Sequence, residues 1–225
     1  MANFDASRML SFDLETTSAN PLEARIVTSA LITIDGRSTE KLEMLADPGV
    51  EIPEEAAKVH GITTEKARTE GRPHEEVLDE TVRRIKDGWE KGFTLVVFNA
   101  AYDLSVLLKL TNGDFTVTGP VYDPYVVDRL KDPYRKGKRN LTDMSEHYSV
   151  TLGNAHEATA DALAAARIAW KQVNKMWPDI KELDTGELME VQAVGYHDMQ
   201  VSLRKYFESR GKSVDDVNTS WPMHG

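Results

Sequence analysis

The chain has no cysteine, which excludes disulfide frameworks, thiolate zinc sites and cysteine nucleophiles. No apolar run approaches the length of a membrane span, and the N-terminus lacks the basic-then-apolar pattern of a secretory leader. A soluble, cytoplasmic protein with no membrane partner is the expectation. An excess of positive charge is also missing: 27 Lys and Arg stand against 37 Asp and Glu, for a net charge of −10. That argues against a protein that holds nucleic acid by bulk electrostatics. It does not argue against an enzyme whose local positive charge comes from bound metal ions. Internal repeats and low-complexity tracts are absent too. With 225 residues, 40% hydrophobic and 28% charged, the chain is sized for one large domain or for a domain with an appendage.

What is there begins with Met9-Leu10-Ser11-Phe12-Asp13-Leu14-Glu15-Thr16-Thr17. The alternation reads as a strand with Leu10, Phe12 and Leu14 on one face and Ser11, Asp13 and Glu15 on the other. Two carboxylates then point the same way at the strand's end, where they repel unless a cation sits between them. Hard oxygen ligands suit Mg²⁺ or Mn²⁺; a solvated acidic edge strand is the plainer alternative.

Residues Ile26 to Ile34 are rich in β-branched side chains, Asp35-Gly36 is a hairpin signal, and Glu40 to Leu45 forms the returning strand. Short helical pieces follow over Ile52 to Arg72, with Val59-His60-Gly61-Ile62-Thr63 among them. Pro73 suits the first position of a helix, and Leu78, Val82, Ile85 and Trp89 give that helix an apolar stripe. The continuous apolar run Phe93 to Phe98 reads as a buried parallel strand. At its end stands Asn99-Ala100-Ala101-Tyr102-Asp103, where open α/β sheets place ligands; Asp103 also reads as a helix N-cap.

Gly119 to Tyr122 is a last strand and Tyr125 to Leu130 a short helix. A basic segment follows, with Arg129, Lys131, Arg135, Lys136, Lys138 and Arg139 interrupted by Asp132; it reads equally as a solvated loop or as a phosphate-contacting rim. Asn140 or Thr142 caps a helix through Tyr148. His156-Glu157-Ala158-Thr159-Ala160-Asp161 opens an alanine-rich helix with the stripe Leu163, Ala166, Trp170, Val173 and Trp177, ended by Pro178. From Ile180 the chain turns charged. Met189, Tyr196, Met199, Leu203 and Tyr206 mark one more amphipathic helix over 186–209, with Gly195 inside it at roughly 1 kcal/mol relative to alanine.

Four carboxylates thus stand at element ends: Asp13, Glu15, Asp103 and Asp161, with His156 shortly before the last. Each has its own bland account, His156 as a surface residue and Asp161 as a partner of a helix dipole. A zincin helix is ruled out, because position 160 is Ala160 and not histidine. Together they fit a two-metal site for phosphodiester hydrolysis, with histidine as the group that titrates near neutrality.

On Phe12-Asp13-Leu14-Glu15-Thr16-Thr17, Asn99-Ala100-Ala101-Tyr102-Asp103 and His156-Glu157-Ala158-Thr159-Ala160-Asp161, the chain resembles the histidine-bearing subgroup of the DEDD 3′–5′ exonucleases. It is similar there to the proofreading epsilon subunits of bacterial replicative polymerases and their stand-alone relatives. Val59-His60-Gly61-Ile62 and Asp128 match further stretches of that family, and the likeness covers roughly residues 9 to 176. The resemblance implies an α/β, ribonuclease-H-like fold, with a mixed sheet of antiparallel meander plus parallel strands, flanked by helices. It implies two divalent cations, Mg²⁺ or Mn²⁺, on Asp13, Glu15, Asp103 and Asp161, with His156 as base. It implies contacts to the 3′-terminal nucleotide by Leu14, Thr16 and His60, with Asn99 supporting the second motif.

The implied activity is release of nucleoside 5′-monophosphates from single-stranded or frayed 3′ ends, DNA favoured, with a polymerase as a possible partner. An RNA-trimming exoribonuclease and a non-catalytic polymerase accessory are the alternatives. Residues 1–178 are expected to be the catalytic domain and 179–225 a helical extension, packed on it or docking a partner. One departure is the second strand: family members usually carry an acidic residue where this chain has Val27-Thr28-Ser29-Ala30.

Overall fold

Residues 2–153 and 155–224 are described by a computed structural model of the chain. The first strand, β1 (Arg8–Thr16), buries Leu10, Phe12 and Leu14 in the main hydrophobic core. Its neighbours are β2 (Ile26–Asp35), antiparallel, and β5 (Thr94–Val96), parallel. The sheet has the order β4-β3-β2-β1-β5-β6, with β3 (Ser38–Asp47), β4 (Arg72–Pro73) and β6 (Val121–Tyr122) completing it. It is the expected mixed sheet, a three-stranded antiparallel meander followed by parallel strands. Strand β4 was not expected: two residues beside β3 are too few to show an alternation.

Helices α1 (Glu54–His60), α2 (Thr64–Glu70), α3 (His74–Glu90), α4 (Ala100–Leu110), α5 (Pro124–Lys131), α6 (Leu141–His147), α7 (Ala158–Lys171) and α8 (Thr185–Ser209) flank the sheet. Because β5 runs parallel to β1, both end at the same edge. The helix that follows β5, α4, therefore starts beside the carboxylates at the end of β1.

Helix α7 crosses the face of β1 and β2 that bears Ser11, Asp13 and Glu15. Here the expected stripe needs correction. Trp170 is 41% exposed and Leu163 only half-buried, while Ala162, Ala165, Ala166 and Ala169 are buried. Small side chains allow the helix to lie close to Ala30 and Ile32 of β2; a large residue on that face would hold it away.

Helix α8 begins with a capping box at Asp184 and Glu187. It buries Leu188, Gln192, Gly195 and Tyr196, whereas Leu203 and Tyr206 of the expected stripe are exposed. The fully buried Gln192 accepts from Asp123 N–H at 2.7 Å and donates to the Val121 carbonyl at 3.0 Å. The tail returns to the main core with Trp221 and Met223, and His224 N–H donates to Ser105 Oγ of α4 at 2.7 Å.

Gly195 is required by packing. A Cβ there would lie 2.0 Å from Leu130 Cδ2 and 2.7 Å from its Cγ. Gly195→Ala is expected to lower stability by about 1–3 kcal/mol through overpacking, less the roughly 1 kcal/mol that alanine gains in a helix. Urea unfolding checks the sign: a midpoint equal to or above wild type would mean that Leu130 yields freely.

Candidate active site

Asp13 and Glu15 project from the end of β1, both partly buried. Between β5 and α4 the chain makes a sharp turn at Asn99, which sits in the left-handed region (φ 63°, ψ 49°), a conformation asparagine tolerates better than most. The turn is held from below by Asp123. Its carboxylate accepts the N–H groups of Asn99 at 3.0 Å and Ala100 at 2.8 Å, and caps α5 through Tyr125 N–H at 3.0 Å. Trp221 Nε1 reaches the same carboxylate at 3.4 Å. This fixed turn puts Asp103 in the first turn of α4, inside the helix and not at its cap. Asp103 Oδ1 accepts Leu14 N–H at 3.0 Å, so it stands against β1 between the two strand carboxylates.

The third motif is set by Ser11. Its Oγ lies 2.6 Å from the Ala162 carbonyl of α7 and 3.2 Å from the Val96 carbonyl of β5. Ser11 is two residues before Asp13 on the same face, so this bond places Asp161, next to Ala162, over the strand's end. Thr159 N–H donates to Glu43 of β3 at 3.3 Å and anchors the helix start from the other side. His156 has a left-handed backbone (φ 66°), and its N–H donates to Asp161 Oδ2 at 3.3 Å. Ligand atoms of Glu15, His156 and Asp161 lie within 4.8 Å of one another. The structure thus brings the predicted carboxylates and histidine to one place. The four carboxylates line a cavity of about 420 Å³ together with Phe98, Tyr102, Tyr125 and Arg139, and His156 stands beside Glu15 and Asp161.

No lysine or arginine pairs with any of the four carboxylates among the described residues. Burial, then Asp103, Asp161 and Glu15, push Asp13 well above the usual carboxylate range. Burial and Asp161 push Glu15 up to about 8. Burial likewise raises Asp103, and raises Asp161 to about 6 against the hydrogen bond from His156. Asp161 Oδ1 is buried without a hydrogen-bond partner, which costs about 1–3 kcal/mol or more for a charged group left alone. An acidic cluster with an orphaned oxygen, an adjacent imidazole and no lysine or arginine paired to it among the described residues fits a divalent metal ion.

The expected nucleotide contacts are placed unevenly. Leu14 lines the cavity, but its N–H is taken by Asp103 and its side chain is in the core. Thr16 Oγ1 bonds the Ser18 carbonyl at 3.0 Å and the Tyr102 hydroxyl. His60 ends α1, with Nδ1 accepting Ile62 N–H at 3.2 Å. Burial holds its pKa below the ordinary value, against the neighbouring Thr16 backbone and aided by His156. Asn99 is exposed at the cavity rim.

Several site residues escaped the sequence reading. Tyr102 joins Thr16 to Ser18, and burial pushes its hydroxyl up to about 12. Phe98 and Tyr125 present tilted rings with centroids 5.9 Å apart. Asp123 carried a usable signal, an aspartate before Pro124 at a strand end, which is a helix-start signature. The matched Asp128 is fully buried and binds Arg135 (2.9 Å), Arg139 (2.8 Å) and the Tyr148 hydroxyl (2.6 Å). It is a structural anchor for the basic segment.

The exonuclease family model (RNase_T) matches residues 10–169, and the chain belongs to that family. It is 26% identical over 175 residues to the PolC-type DNA polymerase III of Listeria welshimeri, covering 76% of this chain and 11% of that protein. To the epsilon subunit of DNA polymerase III from Aquifex aeolicus it is 28% identical, covering 73% of this chain and 80% of that one. The chain thus spans about a tenth of the length of the PolC-type relatives it matches. The zinc-bound Escherichia coli exonuclease I complex with single-stranded DNA shares the fold at TM-score 0.64 and 18% identity, covering 91% of this chain and 45% of that one. No described helix is long and apolar enough to cross a membrane.

The raised carboxylates give a pH dependence whose sign is fixed. Folded Glu15 titrates near 8 and the unfolded group near 4.5, so between those values the folded state binds the extra proton. Stability of the metal-free chain is therefore lost through this group as pH rises across that window. Glu15→Gln should gain melting temperature relative to wild type from pH 4.5 to 8 in EDTA. A difference that stays constant with pH, or that shrinks, would contradict the burial and repulsion described.

Proposed function

We propose that this chain is a metal-dependent 3′–5′ exonuclease that hydrolyses terminal phosphodiesters of single-stranded or frayed DNA ends and releases nucleoside 5′-monophosphates. The observation that carries the reading is the convergence of Asp13, Glu15, Asp103 and Asp161 on one cavity, with His156 beside Glu15 and Asp161 and no lysine or arginine paired to the carboxylates among the described residues. Family membership and the names of the relatives support it.

Asp13, Glu15, Asp103 and Asp161 would hold two divalent cations, Mg²⁺ or Mn²⁺. When bound, such a pair lowers the pKa of water and stabilises the charge on the leaving oxygen. His156 takes the proton of the attacking water, the general-base role an imidazole beside the site can fill. The Asp161 carboxylate, by accepting the His156 N–H, holds that histidine's loop at the mouth of the site. Phe98 and Tyr125 offer ring faces to the terminal base, and Tyr102 fixes the Thr16–Ser18 corner on which the sugar rests. Asp103 ties α4 to β1, and Asp123 ties the start of α4 to the start of α5.

We assign this chemistry to residues 1–178 and a bracing role to 179–225, whose Gln192 and Trp221 hold Asp123. A polymerase partner follows the pattern of the epsilon relative, and pull-down with and without residues 180–225 tests it.

With a 5′-labelled oligonucleotide and Mg²⁺, Asp13→Asn and Asp103→Asn should reduce digestion to background; wild-type rates in either variant would remove that residue from the site. His156→Ala should lose about 10²–10⁴-fold in turnover and the limb of the pH–rate profile near neutrality. Parallel digestion of matched DNA and RNA decides the sugar preference, which turns on how the 2′-hydroxyl is accommodated.

A further inference from the structure

The basic segment divides into a buried stem and an exposed tip. In the stem, Arg135 and Arg139 both bind the fully buried Asp128, at 2.9 and 2.8 Å. Arg139 also donates to the carbonyls of Asp132 (2.7 Å) and Arg135 (3.1 Å). Lys131 is held by Asp179. These cations are committed to structure, and the loop is stiff at its base. The tip carries Tyr134, 92% exposed, with Lys136 and Lys138, both exposed and without an ion pair among the described residues. Gly137, at φ 99°, makes the turn between the two lysines.

The stem is continuous with the active-site cavity, because Arg139, Asn140 and Leu141 form part of its wall. Tyr134 is five residues from Arg139, at most ~17 Å of extended chain, or about five nucleotides at the ~3.4 Å spacing of a stacked strand. A lone exposed aromatic is ordinary. An exposed aromatic followed by two lysines that make no ion pair among the described residues, on an anchored loop at the cavity's rim, in a chain of net charge −10, is a local exception to the acidic surface. Its charge complements a phosphate backbone, and its ring suits base stacking.

We propose that the loop from Asp132 to Arg139 is a clamp for the single-stranded segment that leads into the site, with Tyr134 stacking on a base and Lys136 and Lys138 contacting phosphates. This rests on the exonuclease reading and adds to it a surface that sets strand affinity. Because the three side chains are solvent-exposed, their truncation leaves the Asp128 anchor and the fold untouched.

The test uses the full chain and a fluorescent oligo(dT) of about 12 nucleotides, within the ~4–16 nucleotides of known single-strand sites. Binding is read by anisotropy in Ca²⁺ across a salt series. Tyr134→Ala should weaken binding about 5-fold, the low end of a lost base stack. Lys136→Ala with Lys138→Ala should reduce the slope of log affinity against log salt by about 1.4, at ~0.7 per lost phosphate contact on a single strand. Lys205→Ala, on the exposed end of α8, serves as the control for loss of charge alone. Affinity and slope equal to wild type in the loop variants, or an equal loss in Lys205→Ala, would overturn the clamp. If wild type digests the same oligonucleotide in Mn²⁺ while the loop variants bind normally, only the clamp falls. If wild type releases no mononucleotide, the exonuclease reading falls and takes the clamp with it.

Discussion

Repulsion among four half-buried and buried carboxylates is the constraint around which the rest of the molecule is arranged. A fold gains nothing from gathering like charges in a place of reduced solvation; each raises the proton affinity of its neighbours. The surrounding structure must therefore hold them together against that force. It does so with neutral donors from three directions: Leu14 N–H to Asp103, Ser11 Oγ to the start of α7, and the Asn99–Ala100 turn on Asp123. None of these bonds introduces a positive charge, so the cluster keeps its appetite for an external cation. Stability given up at such a place, and retained elsewhere, is the mark of a functional site.

The C-terminal region belongs to the same scheme. Gln192 of α8 and Trp221 of the tail both meet Asp123, and His224 reaches Ser105 of α4. The end of the chain thus holds the helix that carries Asp103 directly at Ser105 and, through Asp123, at Ala100. Beyond Tyr196, α8 exposes Leu203 and Tyr206 and is tied to the tail by Arg204, which donates to the Val217 carbonyl at 3.0 Å.

Much of this was legible in the residues. The alternation in β1 specified which face would carry Asp13 and Glu15, because period two leaves no other choice once Leu10, Phe12 and Leu14 are buried. The Asp35-Gly36 hairpin and the three motifs were equally plain. Less legible features share a physical cause: they depend on a partner far away in sequence. The alanine face of α7 is a demand of the sheet beneath it, and periodicity in Leu163 and Trp170 pointed elsewhere. Gly195 looked like a flaw in a helix until Leu130 was set against it. The role of the basic segment could not be resolved without Asp128, whose burial separates the anchoring Arg135 and Arg139 from Lys136 and Lys138, which make no ion pair among the described residues. Asp123 is legible as a cap, but its four-way role requires the fold.

The central claim is that these carboxylates meet in order to hold divalent ions, and a direct titration addresses it. Metal-free protein is titrated with Mn²⁺ and the free ion followed by electron paramagnetic resonance. The account predicts saturable uptake of two ions per chain, competed by Mg²⁺ and weakened when Asp103 is replaced by asparagine. Uptake that never saturates, or that is indifferent to Asp103, would contradict it.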